Sequence, residues 1–230
     1  MYVGTRQSVG IAPGDIPLRS ELVRKGIHLL SLSIPIGYSA VSRETALLIL
    51  IPLAAAFVAV DVLMHRVRPV RLWFLRWFGF LLRPHELETD RLLLNGASYV
   101  LISACLCVAI FPKVVAVTAF AVLIIADIAS ALAGKLWGRH RFLDKSAEGT
   151  LAFFLAATAT VGVTGWLLSA PWTFFAAGIL SVAVGSLVEA ASIRLRMDDN
   201  LSIPLSIGAV LWGLGWLAER LLGAPFLHLL

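Results

Sequence analysis

Seven apolar stretches divide this chain of 230 residues and decide which folds are open to it. They cover residues 27–42, 45–64, 93–111, 114–133, 150–168, 173–192 and 203–222. Crossing a hydrocarbon core of roughly 30 Å takes about 20 helical residues; most of the stretches approach that length, while the first is short and holds Pro35. Charged residues make up 14% of the chain, against about 25% in a soluble domain. We therefore predict an all-α, polytopic transmembrane helix bundle of about seven spans, forming a single integral membrane domain over residues 1–230.

Two polar segments interrupt the apolar pattern. Residues 1–25 lack an apolar core and are predicted to be a cytoplasmic N-terminal segment. Residues 65–92 are basic, and their middle part, 70–82, combines Leu, Trp and Phe with Arg71 and Arg76. This composition predicts an amphipathic helix in the membrane interface, although a connecting helix packed on the spans has the same pattern. Cys105 and Cys107 face different sides of one helix, which excludes a disulfide or a metal pair between them.

The basic residues predict an orientation. All but three of the nineteen Lys and Arg fall on one side of the seven predicted spans, the exceptions being Arg43, Lys113 and Arg220. Lys and Arg concentrate in cytoplasmic loops, so the N-terminus is predicted to be cytoplasmic and the C-terminus external. The expected location is a multi-pass position in a prokaryotic inner (cytoplasmic) membrane.

The acidic residues gather on the same side. Asp61, Asp127, Glu148 and Glu189 lie within the predicted spans or at their cytoplasmic ends. A carboxylate at membrane depth is costly and usually faces a partner, a cavity or a site. Each one alone is equally explained by a salt bridge or a headgroup contact, but four from separate spans at one depth predict a polar cavity. Its acids suit Mg²⁺ and its bases suit phosphate.

The stretch 125–149 has the strongest functional pattern. It contains an intramembrane acid, a run of small residues and a compact basic loop, namely Asp127, Ala129, Ser130, Gly134, Gly138, Arg139, His140, Arg141, Lys145, Ser146 and Glu148. The small residues are also typical of close helix packing, and the bases of a cytoplasmic surface. Carboxylates on both sides of the basic loop favour a nucleoside triphosphate site, which needs cations for phosphates and acids for the metal.

An ordered set of motifs resembles the CTP-dependent lipid kinases, which include dolichol kinase, phytol kinase and the yeast-type diacylglycerol kinase. The motifs run from residue 21 to residue 204: Glu21-x-x-Arg24-Lys25-x-x-His28, Asp61, Leu82-Arg83-x-x-Glu86, Asn95-Gly96-Ala97-x-Tyr99, Phe111-Pro112-Lys113, the Asp127 segment, Lys145-Ser146-x-Glu148-Gly149 and Asp198-Asp199-Asn200-Leu201-x-Ile203-Pro204. The family usually has Gly-Asp where this chain has Ala126-Asp127. The resemblance implies transfer of the terminal phosphate of CTP, with a divalent metal, to a lipid hydroxyl.

Two alternatives stay open at this point. Part of the pattern is similar to phosphatidate cytidylyltransferase, which would make a CDP-lipid, but the acidic C-terminal signature of that family is missing beyond Pro204. The other alternative is a non-enzymatic transporter or scaffold. Transporters place polar groups near the bilayer midplane, whereas here they lie at the predicted span ends.

The predicted roles divide into three groups. The catalytic group is Asp127, Lys145, Glu148 and His28. The nucleotide-binding group is Arg139, Arg141, Ser146, Gly134, Gly138, Asp199, Asn200, Arg24 and Lys25. The predicted metal ligands are Asp127, Glu148 and Asp198. Helix-cap roles for Ser146 and the Asp198–Asn200 run, and an anchoring role for His28, are alternatives.

The predicted partners follow from those roles. They are Mg²⁺, CTP as phosphate donor, a lipid alcohol such as a polyprenol, diacylglycerol or phytol, and the membrane. No nucleic acid is expected, and an oligomer is compatible with the pattern.

Overall fold

The computed structural model describes residues 18–79, 94–195 and 197–230, with all of their side chains except those of residues 18–20. Part of the predicted segments lies outside these residues. This applies to positions 1–17 of the N-terminal segment, to positions 80–92 of the basic segment and to the motif Leu82-Arg83-x-x-Glu86.

The all-α prediction is confirmed for the described residues. The helices are α1 (Leu18–Leu30), α2 (Ser33–Ala40), α3 (Arg43–Arg66), α4 (Arg68–Phe78), α5 (Gly96–Ile110), α6 (Lys113–Trp137), α7 (Ala147–Leu167), α8 (Trp172–Ala190), α9 (Ser192–Leu195) and α10 (Asp199–Leu222). Between α6 and α7 lies a small antiparallel hairpin of β1 (Arg141–Phe142) and β2 (Lys145–Ser146).

Five of the described helices are long and apolar enough to cross a membrane: α3, α6, α7, α8 and α10. They are consistent with an integral membrane protein and correspond to five of the seven predicted spans. The count of seven is not confirmed, because the first and third predicted spans have a different form in the structure.

The first predicted span is divided between two helices. Helix α1 ends at Leu30 and α2 begins at Ser33, with a turn at residues 31–32. The ring of a proline clashes with the carbonyl four residues earlier, which for Pro35 is that of Ser31, and this clash accounts for the position of the break. The third predicted span, α5, has 15 residues, which gives a length of about 22 Å.

Contacts between the connections sort them into two ends, which we call the polar end and the far end. At the far end the Arg43 side chain donates to the carbonyl oxygen of Phe111 at 2.7 Å, and Thr173 donates to the carbonyl oxygen of Ala224 at 3.0 Å. The polar end holds the β1–β2 hairpin and the starts of α5, α7 and α10. The long helices therefore run alternately between the two ends.

Helix α6 lies at the centre of the bundle and packs most extensively against α7. Residues on several sides of it are fully buried, including Val114, Val122, Leu123 and Ala126.

Helix α4 is the opposite case, since none of its residues is buried. Its Trp73 and Trp77 are more than half exposed.

The contact between α6 and α7 depends on two glycines, Gly134 and Gly149. A Cβ atom on Gly149 would lie 3.0 Å from Ser146 Oγ, 3.1 Å from the carbonyl oxygen of Ser130 and 3.3 Å from the Cα of Gly134. These distances are tighter than nine in ten real Cβ contacts, so a side chain here would require the neighbouring backbone to shift by a few tenths of an ångström. The packing role suggested by the small residues is thus present at this crossing.

Gly149→Ala is expected to destabilise the folded protein by roughly 1–3 kcal/mol, the usual cost of inserting a methyl into a close-packed contact. Thermal unfolding of the purified variant measures it. Gly162→Ala on the same helix is the matched control, because a Cβ there would meet nothing within 4 Å. Equal stability of the two variants would contradict the proposed contact.

Candidate functional site

A cavity of about 690 Å³ opens at the polar end of the bundle. It is formed by α1, the start of α5, one face of α6, the hairpin with the start of α7, the end of α8, and α9 with the start of α10. The described residues that line it are Glu21, Arg24, Lys25, Leu94, Tyr99, Asp127, Ser130, Ala131, Gly134, Lys145, Ser146, Gly149, Glu189, Ser192, Ile193, Met197, Asp198 and Asp199.

One wall of the cavity centres on Asp127. The Lys25 ammonium on α1 forms an ion pair with Asp127 Oδ2 and also donates to the Asp127 carbonyl oxygen at 3.3 Å. His28, one turn further along α1, has its Nε2 3.6 Å from the same carboxylate oxygen. Both basic residues come from α1 because positions 25 and 28 share one helix face. The wall therefore joins α1 to the middle of α6.

The face of α6 that lines the cavity continues this wall. Asp127, Ser130, Ala131 and Gly134 follow the spacing i, i+3, i+4, i+7, which places them in one row along a helix. Ser130 donates to Glu189 Oε1 at 2.8 Å. The row thus connects Asp127 to a second group of charges on α8 and α10.

That second group centres on Lys145. Its ammonium donates to Glu189 Oε1 at 2.6 Å and to Asp199 Oδ2 at 2.9 Å. Burial by itself would lower the pKa of the Lys145 ammonium, but the carboxylates of Asp199 and Glu189 outweigh it and raise the pKa above its usual value. Lys145 is therefore a permanent cation at neutral pH.

The hairpin positions Lys145 for these contacts. Its turn has Leu143 at a positive φ of 52°, and the following residue holds the turn in place. Asp144 donates its backbone N–H to the carbonyl oxygen of Ala190 at 3.0 Å and accepts from the Arg194 side chain at 3.0 Å. Strand β2 is consequently fastened to the junction of α8 and α9, beside Glu189.

Several polar atoms of the cavity lack a hydrogen-bond partner within the described part of the chain. They are buried and belong to Arg24 (Nη1), Glu189 (Oε2) and Asp199 (Oδ1). The other guanidinium nitrogen of Arg24, Nη2, donates to Glu21 at 2.6 Å. A buried polar atom without a partner costs free energy, and a bound ligand would remove that cost.

The described lining carries more negative than positive charge. Five carboxylates, from Glu21, Asp127, Glu189, Asp198 and Asp199, face three basic side chains, from Arg24, Lys25 and Lys145. Each of these bases pairs with at least one carboxylate. The cavity therefore offers cations that are held in place and an excess of acid.

Six predicted site residues lie outside this cavity lining. They are His28, which lies behind it beside Asp127, Asn200, which bonds to Asp198, and the four residues described next. Arg139 and Arg141 are exposed, because the basic loop folds into a hairpin whose first strand faces outward and whose second strand faces the cavity. Gly138 is the C-cap of α6. Glu148 binds the exposed His140, with 2.7 Å between Oε1 and Nδ1. Since Gly149 faces α6, the preceding residue on α7 points about 100° away from that contact.

Three predicted residues have helix-capping roles. The Ser146 hydroxyl accepts from the Gly149 backbone N–H at 3.1 Å and caps α7, while Ser146 also lines the cavity. Asp198 caps α10 and accepts from the backbone and side-chain nitrogens of Asn200, at 2.9 and 2.8 Å. Within the Asp198–Asn200 run, Asp199 is the residue that contacts Lys145.

Asp61 is a structural residue. It is fully buried and accepts from the backbone N–H of Asn95 at 2.9 Å, from the Asn95 side chain at 2.5 Å and from Ser98 Oγ at 2.6 Å. These bonds hold the start of α5 against α3. The Asn95-Gly96 motif therefore serves the packing of α5, and Tyr99 one turn later reaches the cavity.

Sequence reasoning placed Glu189 among the carboxylates of a predicted polar cavity without giving it a specific role, and it assigned no site role to Glu21, Tyr99 and Ser130. Ser130 had a usable signal, since it lies three residues after Asp127 and so on the same helix face. Glu21 and Tyr99 occur in the quoted motifs. The contact of Glu189 with Lys145 joins residues 44 positions apart, and no local spacing indicates it.

The predicted metal ligands do not form one cluster. Asp127 and Asp198 line the cavity and Glu148 does not. Among residues 18–79, 94–195 and 197–230, no group of three or more His, Cys, Asp or Glu side chains is arranged to hold a metal ion.

Comparisons with known proteins give one clear relationship. No protein-family model matches the chain. No solved structure matches it either. The chain is 30% identical over 186 residues to the uncharacterized protein RP860 of Rickettsia prowazekii (strain Madrid E), across 81% of this chain and 90% of that protein. At this identity over most of both sequences, the chain belongs to the same family as the Rickettsia prowazekii protein.

Proposed function

We propose that this protein is a membrane-embedded lipid kinase that transfers the terminal phosphate of CTP to the hydroxyl of a lipid alcohol. The observation that carries the proposal is the cavity at the polar end, where separate helices and the β1–β2 hairpin bring together three paired bases and five carboxylates. Phosphoryl transfer depends mainly on positioning and charge neutralisation, and this cavity supplies groups for both.

The bases suit the phosphates of a nucleotide. Arg24 has a buried Nη1 with no hydrogen-bond partner among the residues that the structure describes, and Lys25 and Lys145 line the same cavity. Charge-assisted hydrogen bonds from such groups are the usual partners of phosphate oxygens. The exposed Arg139 and Arg141 lie at the outer surface of the hairpin, where they suit the approach of an anion better than its final binding.

The rim of the cavity suits a lipid. Leu94, Ile193 and Met197 line it, and Ile193 is 72% exposed. An alcohol on an apolar body, such as diacylglycerol, a polyprenol or phytol, would keep its chain against this rim and the bilayer while its hydroxyl reaches the charged groups.

In the proposed reaction the lipid hydroxyl oxygen attacks the terminal phosphorus of CTP. The bond from that phosphorus to the bridging oxygen breaks, CDP leaves with the electron pair, and the hydroxyl proton passes to a base. His28, beside Asp127, is the candidate for that base. The free carboxylate oxygens of the cavity fit Mg²⁺, which prefers hard oxygen ligands. When bound, Mg²⁺ would neutralise phosphate charge.

The proposal includes a topology of seven crossings with the polar end cytoplasmic. Helix α5 begins beside Asp61 on α3 and ends beside Arg43 at the other end of α3. It therefore covers nearly the same distance between the two ends of the bundle as α3 does. Helices α1 and α2 together run along α6 from Asp127 to Lys113, with Tyr38 5.6 Å from the Lys113 ammonium. Most basic residues then lie on the cytoplasmic side, and the exposed aromatics of α4 would lie in the interface.

The test is purified protein with Mg²⁺, a panel of lipid alcohols, and CTP or ATP labelled on the terminal phosphate, followed by lipid separation. The proposal expects a labelled lipid phosphate, with CTP as the better donor. A parallel reaction with phosphatidate as acceptor and CTP labelled on the α-phosphate tests the alternative, and label entering lipid only there would indicate a cytidylyltransferase. The absence of labelled lipid with every alcohol and both nucleotides would refute the kinase activity.

His28→Gln tests the proposed base. If His28 accepts the hydroxyl proton, the acidic limb of the pH–rate profile should flatten and the rate should fall by roughly 10²–10⁴. His65→Gln is the matched control, since His65 bonds to the carbonyl oxygen of Asp61 at 2.8 Å, away from the cavity. A changed affinity for lipid with an unchanged profile would assign His28 to binding.

A further inference from the structure

The Lys145 ammonium occupies a position that a metal ion could also use. Both Glu189 and Asp199 approach its nitrogen within 3 Å, at 2.6 and 2.9 Å, and Ser130 binds the same oxygen of Glu189. Glu189 comes from the end of α8 and Asp199 from the start of α10. Two carboxylates from separate helices thus converge on one point that already holds positive charge.

Each of these carboxylates has a second oxygen available. Glu189 is 1% exposed, yet within the described residues its Oε2 has no hydrogen-bond partner, and the same is true of Asp199 Oδ1. Both residues line the cavity. A buried anionic oxygen without a donor is costly, and Lys145 satisfies only the other oxygen of each pair.

We propose that Glu189 and Asp199 form a divalent-cation site beside Lys145, which the cation fills before any nucleotide arrives. Mg²⁺ is usually bound by one or two carboxylates together with waters and substrate phosphates, so two carboxylates are enough. The excess of acid in the lining, five carboxylates against three bases, favours a cation in the ligand-free cavity.

This assignment differs from the ligands expected from sequence, Asp127, Glu148 and Asp198. Asp127 already pairs with Lys25, and Glu148 pairs with His140 outside the cavity. Asp198 accepts two hydrogen bonds from Asn200 as the cap of α10. Among the described residues that line the cavity, the buried carboxylate oxygens without a hydrogen-bond partner belong to Glu189 and Asp199.

The role of the cation rests on the proposed function. A cation on Glu189 and Asp199 would weaken their hold on the Lys145 ammonium, because it would compete for the same negative charge. Lys145 could then turn to a phosphate oxygen. The cation site would in this way couple metal binding to nucleotide binding.

The experiment uses Mn²⁺ alone, as a paramagnetic substitute for Mg²⁺, titrated into the purified full-length protein without nucleotide or lipid. The loss of the free-Mn²⁺ electron paramagnetic resonance signal gives the affinity. Wild type is expected to bind one Mn²⁺ that Mg²⁺ displaces. Glu189→Gln and Asp199→Asn should each weaken binding by about tenfold or more, since each removes one of the two anionic ligands.

Lys145→Gln gives the opposite expectation. Removing a positive charge within a few ångströms should tighten Mn²⁺ binding by about tenfold, and misfolding cannot produce a gain in affinity. Glu219→Gln, an exposed carboxylate near the far end of α10, is the control and should not change the affinity.

The inference is overturned if wild type binds no Mn²⁺ in the absence of nucleotide, or if Glu189→Gln and Asp199→Asn bind as wild type does. Unchanged or weaker binding by Lys145→Gln also overturns it. The two proposals can fail separately. If Mn²⁺ binds at Glu189 and Asp199 as expected but the protein phosphorylates no lipid alcohol, the cation site stands and only the kinase activity is refuted.

Discussion

Asp127→Asn is expected to lower the rate of lipid phosphorylation by roughly 10²–10³-fold or more. The physical reason is that the variant leaves the Lys25 ammonium without its carboxylate and removes an anion from the wall of the cavity. Breaking a buried ion pair costs about 3–5 kcal/mol of folding stability. The expected loss of rate has a separate cause, since a misplacement of about 1 Å in a reactive site can cost about 10²-fold. Initial rates with saturating lipid measure the effect.

The double variant Lys25→Met/Asp127→Asn separates catalysis from stability. It removes both charges, so thermal stability lost in Asp127→Asn should return while phosphate transfer should not. Normal turnover by Asp127→Asn would contradict a role of Asp127 in phosphate transfer. A double variant as active as Lys25→Met alone would mean that Asp127 acts only by holding Lys25.

Lys145→Met is the second large effect. We expect kcat/KM for the nucleotide to fall roughly 10–100-fold, because a buried charge-assisted contact to phosphate is worth about 1.5–3 kcal/mol. The variant also leaves Glu189 and Asp199 without their shared cation. Steady-state kinetics over a range of nucleotide concentrations, at constant lipid, separate the effects on KM and kcat.

Arg139→Ala is the matched control for that measurement. Arg139 carries the same charge on the same loop but is exposed and lies outside the cavity lining. Exposed ion contacts are worth about 0–1 kcal/mol, so its kcat/KM should change by less than about fivefold. An equal loss of kcat/KM in Lys145→Met and Arg139→Ala would mean that the loop acts through its total charge. An unchanged kcat/KM in Lys145→Met would exclude a contact between Lys145 and phosphate.

Much of the fold was predictable because apolar length depends on the sequence alone. The five long helices match predicted spans within a few residues at most of their ends. The division of the first span into α1 and α2 was not predicted, although Pro35 is the residue that indicates an interrupted helix. A proline in the first turn of a helix is tolerated, so the residue by itself does not say whether a helix bends, breaks or starts there.

The candidate site was predictable in part. Asp127, Lys145, Asp199, Arg24 and Lys25 were singled out from sequence, and all of them line the cavity. Glu148 was predicted to share the site with Lys145, but a hairpin strand and a helix meet between them and turn the two side chains apart. The actual partners of Lys145 lie 44 and 54 positions away. Tertiary packing decides such pairs, and a single sequence carries little information on it.

The ion pair between α1 and α6 has a consequence for how the protein is assembled. Lys25 and Asp127 are 102 residues apart, so during synthesis α1 emerges long before its partner exists. Glu21, Arg24, Lys25 and His28 make one face of α1 too polar to enter lipid cheaply on its own. We therefore expect α1 to dock only after α6 has been made. The helix that is synthesised first among those described would then complete its place in the bundle later than the helices between it and α6.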